Sequence, residues 1–218
     1  MLAPMRLADG FMSRRLALSI RFAALFLLTT GLLMPLSRAQ GAPVFEITPV
    51  SSSVVFNVKS SVSITGKFDK WDSTLVFTSP DINTGVLDIK IQAASVDTGS
   101  GMKNDKLKSK DFFDVANNPY ITFHSTKIVQ TGPAVKGQPV NFEIDGDFTI
   151  RGVTKPEKLA LTVYGYGTGS GEVKGTMAFD RKDYGINGSI PFIKIADRVE
   201  VTVDLKAKRV SGPPVALK

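Results

Sequence analysis

The 218-residue sequence contains no cysteine, one histidine and one tryptophan. Without cysteine the chain cannot form a disulfide bond, a thiolate nucleophile or a zinc–thiolate site. A single histidine also excludes a metal site built from several histidines. Hydrophobic residues make up 43% and charged residues 22% of the chain, which indicates a globular protein of one ordinary domain and excludes a disordered chain or a helical membrane bundle.

The first 39 residues have the order of a secretory signal peptide. Several arginines precede a mostly apolar run of 13 residues, 22–34, and a small-residue site ending at Ala39 follows. The run is shorter than the roughly 20 apolar residues that a membrane-spanning helix needs. We therefore predict cleavage after Ala39 and a periplasmic location. An uncleaved N-terminal anchor is the alternative.

The net charge owes much to this leader. Residues 1–39 hold five arginines and one acidic residue, so residues 40–218 carry 22 basic and 19 acidic side chains. This near balance weakens the argument for a nucleic-acid partner, and we expect none. No cysteine follows the apolar run, so no lipoprotein anchor is expected.

The rest of the chain shows a period of two that is typical of strands with one buried and one wet face. The clearest case is 140–151, where apolar residues or Gly146 alternate with polar residues. We predict eight or nine strands; the other alternating segments are 54–58, 64–68, 75–77, 87–92, 159–163, 173–179 and 199–208. Asn187-Gly188 has the composition of a hairpin turn. A short helical insertion is expected near 101–115.

One-faced strands belong to antiparallel sheets, and closing such a sheet removes its unpaired edges. We therefore predict an all-β fold, an up-and-down barrel of about eight strands over 40–210, with a flexible tail at 211–218. A two-sheet sandwich is the alternative. An outer-membrane barrel is disfavoured, because Gly146 and Gly175 lie on the apolar faces and aromatic girdles are missing.

Side chains that could carry chemistry are few. His124 is the one histidine, and no Ser-His-Asp set can be assembled around it, so we expect a surface residue and no catalytic residue, cofactor or metal. Asp145 and Asp147 share the wet face of their strand. Lys103 and Lys110, together with Lys106, would line one side of a helix, either as a solvated face or as a surface that contacts an anionic head group or a membrane.

Six segments resemble the YceI-like lipid and polyisoprenoid-binding family, in the family's order. They are 53–59 with 65–68 (SVVFNVK and TGKF), 94–99 (ASVDTG), 104–114 (NDKLKSKDFFD), 118–123 (NPYITF), 146–156 (GDFTIRGVTKP) and 181–186 (RKDYGI). The resemblance implies a lipocalin-like antiparallel barrel with an elongated apolar cavity for a long isoprenoid or fatty chain. The sequence departs from the family at Lys106, where histidine is usual, which puts the head-group contact in doubt.

Inward-facing apolar residues are the candidates for lining such a cavity. The predicted ligand-binding residues are Phe56, Phe68, Phe77, Ile89, Ile91, Phe112, Phe113, Phe123, Phe142, Ile144, Phe148, Phe179 and Val201. Phe112 and Phe113 would cap or line one end. The candidates for the mouth, or for structural hydrogen bonds, are Asp105, Lys106, Arg181, Asp183 and Tyr184.

The leading hypothesis is a non-enzymatic periplasmic carrier whose partner is a long-chain lipid. Transient contact with a membrane is a further expectation. The alternative is a structural or interaction domain with a filled core, and an enzyme acting on a lipid is the least favoured. The oligomeric state is left open, with a homodimer among the options.

Overall fold

The structure is a computed structural model, and it describes residues 41–47, 52–61 and 63–218. The predicted signal peptide lies outside the described residues. Within them the chain forms eleven strands and one α-helix: β1 Val44–Ile47, β2 Ser53–Ser60, β3 Ile64–Phe68, β4 Trp71–Val76, β5 Val86–Gln92, β6 Val96–Asp97, α1 Gly101–Lys108, β7 Tyr120–Gln130, β8 Val140–Ile150, β9 Val153–Tyr164, β10 Ser170–Asp180 and β11 Ile195–Ser211.

The strands form one antiparallel sheet that closes into a ring. Three barrel strands each consist of two short pieces, β1 with β2, β3 with β4 and β5 with β6, while β7 to β11 supply the other five. Strand β11 closes the ring by pairing with both β2 and β1. The predicted eight-stranded up-and-down barrel is confirmed, and the sandwich is excluded because the first and last strands pair.

The alternation read from the sequence sets the inside of the barrel. In β8 the residues at every second position are buried: Val140, Phe142, Ile144, Gly146, Phe148 and Ile150. Asn141 and Asp147, on the other face, are exposed. The apolar faces of all eight barrel strands therefore meet in one interior.

Two glycines make room for large side chains at mid-height of the barrel. A Cβ atom at Gly146 would lie 2.5 Å from the Phe123 ring. At Gly175 it would lie 2.4 Å from Leu161 and 2.6 Å from Val203. Both distances are below any normal contact, so glycine is required there for close packing rather than for a special backbone angle.

The helical insertion is shorter than the predicted 101–115. Helix α1 ends at Lys108, where the Ser109 hydroxyl donates to the Lys106 carbonyl oxygen at 2.7 Å. The chain must leave the helix there because Phe112 and Phe113 turn into the barrel, where both are buried.

Asn187-Gly188 does not form the predicted hairpin. Gly188 N–H donates to the Asp111 carbonyl oxygen at 3.0 Å, and a Cβ at Gly188 would lie 2.2 Å from the Phe112 ring. This glycine is therefore a packing site. A two-residue hairpin occurs instead at Arg151-Gly152, whose φ angles of 54° and 73° match a type I′ turn.

The segment predicted as a flexible tail has a defined place in the structure. Strand β11 runs to Ser211, and the chain then returns across one end of the barrel. Ala216 N–H donates to the Pro80 carbonyl oxygen at 2.7 Å, and Lys218 N–H donates to Gln130 Oε1 at 2.9 Å.

Candidate ligand-binding site

Two cavities lined by described residues lie in the barrel interior, one near each end. The smaller, of about 70 Å³, lies at the end that carries α1 and is lined mainly by aromatic and aliphatic side chains. Its lining residues are Val54, Phe56, Val58, Ile64, Phe68, Ile91, Leu107, Phe112, Phe113, Ile121, Phe148, Ile150, Phe179, Arg181, Ile186, Ile190, Ile195, Val199 and Val201. We call it the helix-end cavity.

The larger cavity, of about 180 Å³, lies at the opposite end beneath the C-terminal segment, and we call it the tail-end cavity. Strand residues supply most of its wall: Phe45, Ile47, Leu75, Leu87, Ile128, Phe142, Ile144, Leu161, Val163, Val173, Leu205, Ala207 and Arg209, and Phe77 directly follows β4. The remainder comes from Ile82, the β9–β10 connection and the tail residues Pro214, Val215 and Leu217.

None of the described residues lines both cavities, so the single elongated cavity implied by the resemblance is divided in the structure. The division follows from packing at mid-height. Phe123 fills the space that Gly146 leaves free, and Ile89 pairs with it on the neighbouring strand. Both side chains are buried and line neither cavity.

The remaining predicted lining residues fall into two groups. Eight lie on the helix-end cavity: Phe56, Phe68, Ile91, Phe112, Phe113, Phe148, Phe179 and Val201. Three lie on the tail-end cavity: Phe77, Phe142 and Ile144. Their contact with a ligand stays a prediction.

The floor of the helix-end cavity is an aromatic cluster. The ring centroids of Phe56 and Phe68 are 5.6 Å apart, and Phe113 lies 6.4 Å and 6.0 Å from them. The loop after α1 thus places the buried rings of Phe112 and Phe113 in the wall of this cavity, and their contact with a ligand stays a prediction.

Arg181 is buried in the wall of the helix-end cavity, and its hydrogen bonds are already made. Its guanidinium donates to the carbonyl oxygens of Ile186 at 2.7 Å and Ala196 at 3.1 Å. It also forms an ion pair of 3.1 Å with Asp197, whose pKa is lowered by the hydrogen bond from Lys182 and by both neighbouring cations. Arg181 therefore ties the chain around the 3₁₀ turn to β11.

Tyr184 lies in the core and not at the mouth, and it takes the second of its two predicted roles, a structural hydrogen bond. It is 0% exposed, lines neither cavity and packs its ring 5.5 Å from Phe148 and 5.2 Å from Phe179. Its hydroxyl donates to Glu157 at 2.8 Å. Burial, followed by this hydrogen bond, raises the pKa of Tyr184 far above the ordinary value.

The other three mouth candidates lie at the surface and line neither cavity. Lys106 is 3.3 Å from Asp111 and its ammonium lies 5.7 Å from the Phe112 ring centroid. Asp183 pairs with Lys155 at 3.4 Å, and Asp105 is exposed on α1. Lys110 lies beyond the helix, so the three lysines do not share one helical face as expected.

The strand-borne polar residues are surface groups, as predicted. His124 Nδ1 is 2.6 Å from Asp88 Oδ1 in an exposed pair, and Asp145 faces Lys158 at 3.5 Å. Neither pair lies on a cavity. Across the described ranges, no group of three metal-ligating side chains comes together, and no helix has the length and hydropathy to span a bilayer.

Sequence reasoning missed most of the tail-end cavity. Leu87, Leu161 and Leu205 belong to alternating segments that were recognised as strands, so their inward position could have been proposed. The alternate glycines of 165–171 and the apolar residues of the tail gave no such signal, because their place depends on which strand ends meet.

Comparison with known proteins agrees with the barrel. A protein-family model described as the YceI-like domain matches residues 45–207. The chain is 30% identical over 139 residues to a UPF0312 protein of Pseudomonas savastanoi pv. phaseolicola, covering 62% of this chain and 69% of the relative. It is 26% identical over 171 residues to a UPF0312 protein of Shewanella denitrificans, covering 73% and 84%.

Two solved structures are similar at lower identity. BcnA of Burkholderia cenocepacia has a TM-score of 0.64 at 24% identity, with 74% of this chain and 99% of that one covered. A polyisoprenoid binding domain from Saccharophagus degradans has a TM-score of 0.60 at 18% identity, with 77% and 99% covered. These two show the shared fold, and the family match extends over most of the described barrel. The chain therefore belongs to the YceI-like domain family.

Proposed function

We propose that this protein is a periplasmic carrier that holds a long-chain apolar molecule, an isoprenoid or a fatty chain, inside its barrel. The observation that carries the proposal is the pair of apolar cavities inside one ring of strands, each lined mainly by inward-facing apolar side chains. The shared fold with a polyisoprenoid binding domain supports the ligand class. The basic and apolar leader supports export to the periplasm.

The energetics suit such a ligand. Burying apolar surface contributes about 25 cal/mol per Å², so several hundred Å² give on the order of 10 kcal/mol before the cost of association. Binding of this kind needs no catalytic group, and we propose a non-enzymatic role.

A chain longer than one cavity would have to displace Phe123 at mid-height, so the ligand either occupies one end or opens the division. Contact with a membrane through exposed lysines such as Lys110 stays a prediction.

The direct test is to purify the exported protein, extract it with organic solvent and identify the released molecules by mass spectrometry. The delipidated protein is then titrated with prenyl and acyl chains. Ala207→Phe should reduce uptake because Ala207 lines the tail-end cavity. Ala160→Phe, on the exposed outer face, is the matched control and should bind normally. Protein that carries no lipid and takes up neither chain type would defeat the proposal.

A structural or interaction domain remains the second candidate. The close packing of Phe123 against Gly146 favours it, because that part of the interior is filled. The two candidates differ in the effect of enlarging Phe142: a filled core loses stability, whereas a cavity with free space tolerates the larger ring and takes up less ligand.

A further inference from the structure

Strand β11 ends its inward-facing series on a charged residue. Val203, Leu205 and Ala207 point into the barrel at alternate positions, and the next position in the series is Arg209. Arg209 is paired with Phe45 across the sheet, and its N–H donates to the Gly169 carbonyl oxygen at 2.8 Å. This places the guanidinium in the wall of the tail-end cavity, at its rim.

Among the described residues, no carboxylate neutralises the positive charge of Arg209. Of the described residues that line the tail-end cavity, Arg209 is the one charged side chain, and the lining includes no carboxylate. Its guanidinium donates to the Gly212 carbonyl oxygen, and within the described residues no carboxylate oxygen lies within ion-pair distance.

The arginine of the other cavity shows the contrast. Arg181 has Asp197 at 3.1 Å and backbone carbonyl oxygens that accept from two of its nitrogens. Arg181 is thus compensated as part of the fold, whereas Arg209 retains donors for a group supplied from outside. A guanidinium at the edge of an apolar space favours a carboxylate or phosphate, which it can bind through two parallel hydrogen bonds.

The surroundings of Arg209 fit a head group at the mouth of an apolar space. The hydroxyl-bearing residues Tyr164, Tyr166 and Ser170 lie on the same cavity, close to the strand end that Arg209 occupies. Below them the wall is aliphatic and aromatic, with Phe142 and Ile144 further in. The polar and apolar parts of the cavity are therefore arranged as the two parts of an amphiphile are.

We propose that the tail-end cavity binds an amphiphile whose chain lies against the inward-facing apolar side chains and whose anionic head, a carboxylate or a phosphate, pairs with Arg209. This inference rests on the proposed carrier function and specifies its ligand. Arg209 lies beyond residues 45–207, the part of the chain that matches the family, so the site depends on a segment outside that match.

The test compares ligands that share a chain and differ in the head. Delipidated protein is titrated with hexadecanoic acid and hexadecanol, and with geranylgeranyl monophosphate and geranylgeraniol, by displacement of a fluorescent fatty-chain probe. We expect at least one anionic ligand to bind about tenfold or more tightly than its alcohol, since a charged hydrogen bond is worth that factor. The pair that shows the larger ratio distinguishes carboxylate from phosphate.

Substitution then assigns the preference to one residue. Arg209→Gln should reduce the ratio of acid affinity to alcohol affinity to about one, and Arg209→Lys should restore part of that ratio. Arg198→Gln is the matched control, because Arg198 is exposed beside Glu200 and lines neither cavity. The comparison of acid with alcohol in the unmodified protein tests the inference even where a variant fails to fold.

The outcomes separate the two proposals. Equal binding of acids and alcohols by the unmodified protein, or an unchanged preference in Arg209→Gln, overturns the head-group inference and leaves the carrier function standing. Failure to bind any of the four ligands defeats the carrier function and this inference together.

Discussion

At the scale of single residues, which parts of the barrel interior are filled depends on where a glycine lies opposite a large side chain. Gly146 admits the Phe123 ring and Gly175 admits Leu161, and both contacts lie at mid-height. Phe142, two positions along β8 from Ile144, faces empty space in the tail-end cavity instead. Two inward-facing phenylalanines, Phe123 and Phe142, thus differ in whether empty space lies next to the ring.

Enlarging Phe123 and enlarging Phe142 should therefore have different effects. Phe123→Trp overpacks the filled middle and is expected to lower the free energy of unfolding by about 1–3 kcal/mol. Phe142→Trp should cost less than about 1 kcal/mol and reduce ligand uptake, because the ring extends into the cavity. Urea unfolding of delipidated protein and a binding titration measure the two effects. Equal destabilisation by both variants would support the filled-core alternative.

Tyr184 gives the fold a defined response to alkaline pH. Its pKa is raised in the folded state because burial and the hydrogen bond to Glu157 disfavour the phenolate, while in the unfolded chain the pKa is the ordinary 10.0. Above about pH 10 the unfolded chain loses a proton that the folded protein keeps. The free energy of unfolding should then fall by up to about 1.4 kcal/mol per pH unit from this group, and no such loss occurs below that pH.

Tyr184→Phe should remove this part of the alkaline destabilisation while retaining the ring packing. Tyr120→Phe, at an exposed position, is the control and should follow the parent protein. Unfolding by urea at pH 9, 10 and 11 measures the difference between each variant and the parent. A difference for Tyr184→Phe that stays constant with pH would contradict the assignment.

At the scale of elements, the two ends of the barrel are closed by different pieces of chain. The loop after α1 inserts buried rings at one end, with Phe113 against Phe56. At the other end the tail lies across the opening, held by a hydrogen bond from Ala216 and by Lys218 against Gln130. The tail is held by separate hydrogen bonds, including one from Ala134 N–H to the Lys218 carbonyl oxygen, and not by a continuous strand ladder, so we expect it to open at a lower cost in free energy than the strands.

The tail should accordingly control exchange of the bound chain. Leu217 lines the tail-end cavity, and Leu217→Ser is expected to speed ligand release several-fold by weakening the apolar contact of the tail. Ala216→Ser, at an exposed neighbouring position, should leave the rate unchanged. Stopped-flow displacement of a fluorescent fatty chain measures both rates. Identical release from the two variants would place the exit route elsewhere.

At the scale of the whole molecule, stability and occupancy are linked. A ligand that binds only the closed barrel stabilises it by an amount set by its concentration relative to Kd, about 2.7 kcal/mol at a hundredfold excess over Kd. Delipidated protein should therefore melt at a lower temperature than protein resaturated with a bound chain. Differential scanning calorimetry before and after extraction, and after adding back the same chain, measures this. A melting temperature that does not change would argue that the cavities take up no ligand.

Much of the architecture can be predicted from local sequence patterns. The period of two in segments such as 140–151 and 199–208 is set by the alternating direction of side chains along a strand, so the strands and their inward faces could be predicted. The local sequence pattern gave a wrong prediction where close packing requires a glycine. Gly188 suggested a turn, yet it is glycine because Phe112 packs against it from a distant part of the chain.

The sequence by itself determined that one apolar face runs along every strand, because that property belongs to neighbouring positions in the chain. It also determined which residues are apolar enough to line a cavity. Only the tertiary structure decided how the interior is divided, since the meeting of Phe123 with Gly146 joins two strands across the sheet. It likewise decided that Arg209 lies at the rim of the larger cavity, whose described lining residues include no carboxylate, because the charge balance of a site depends on residues that folding brings together.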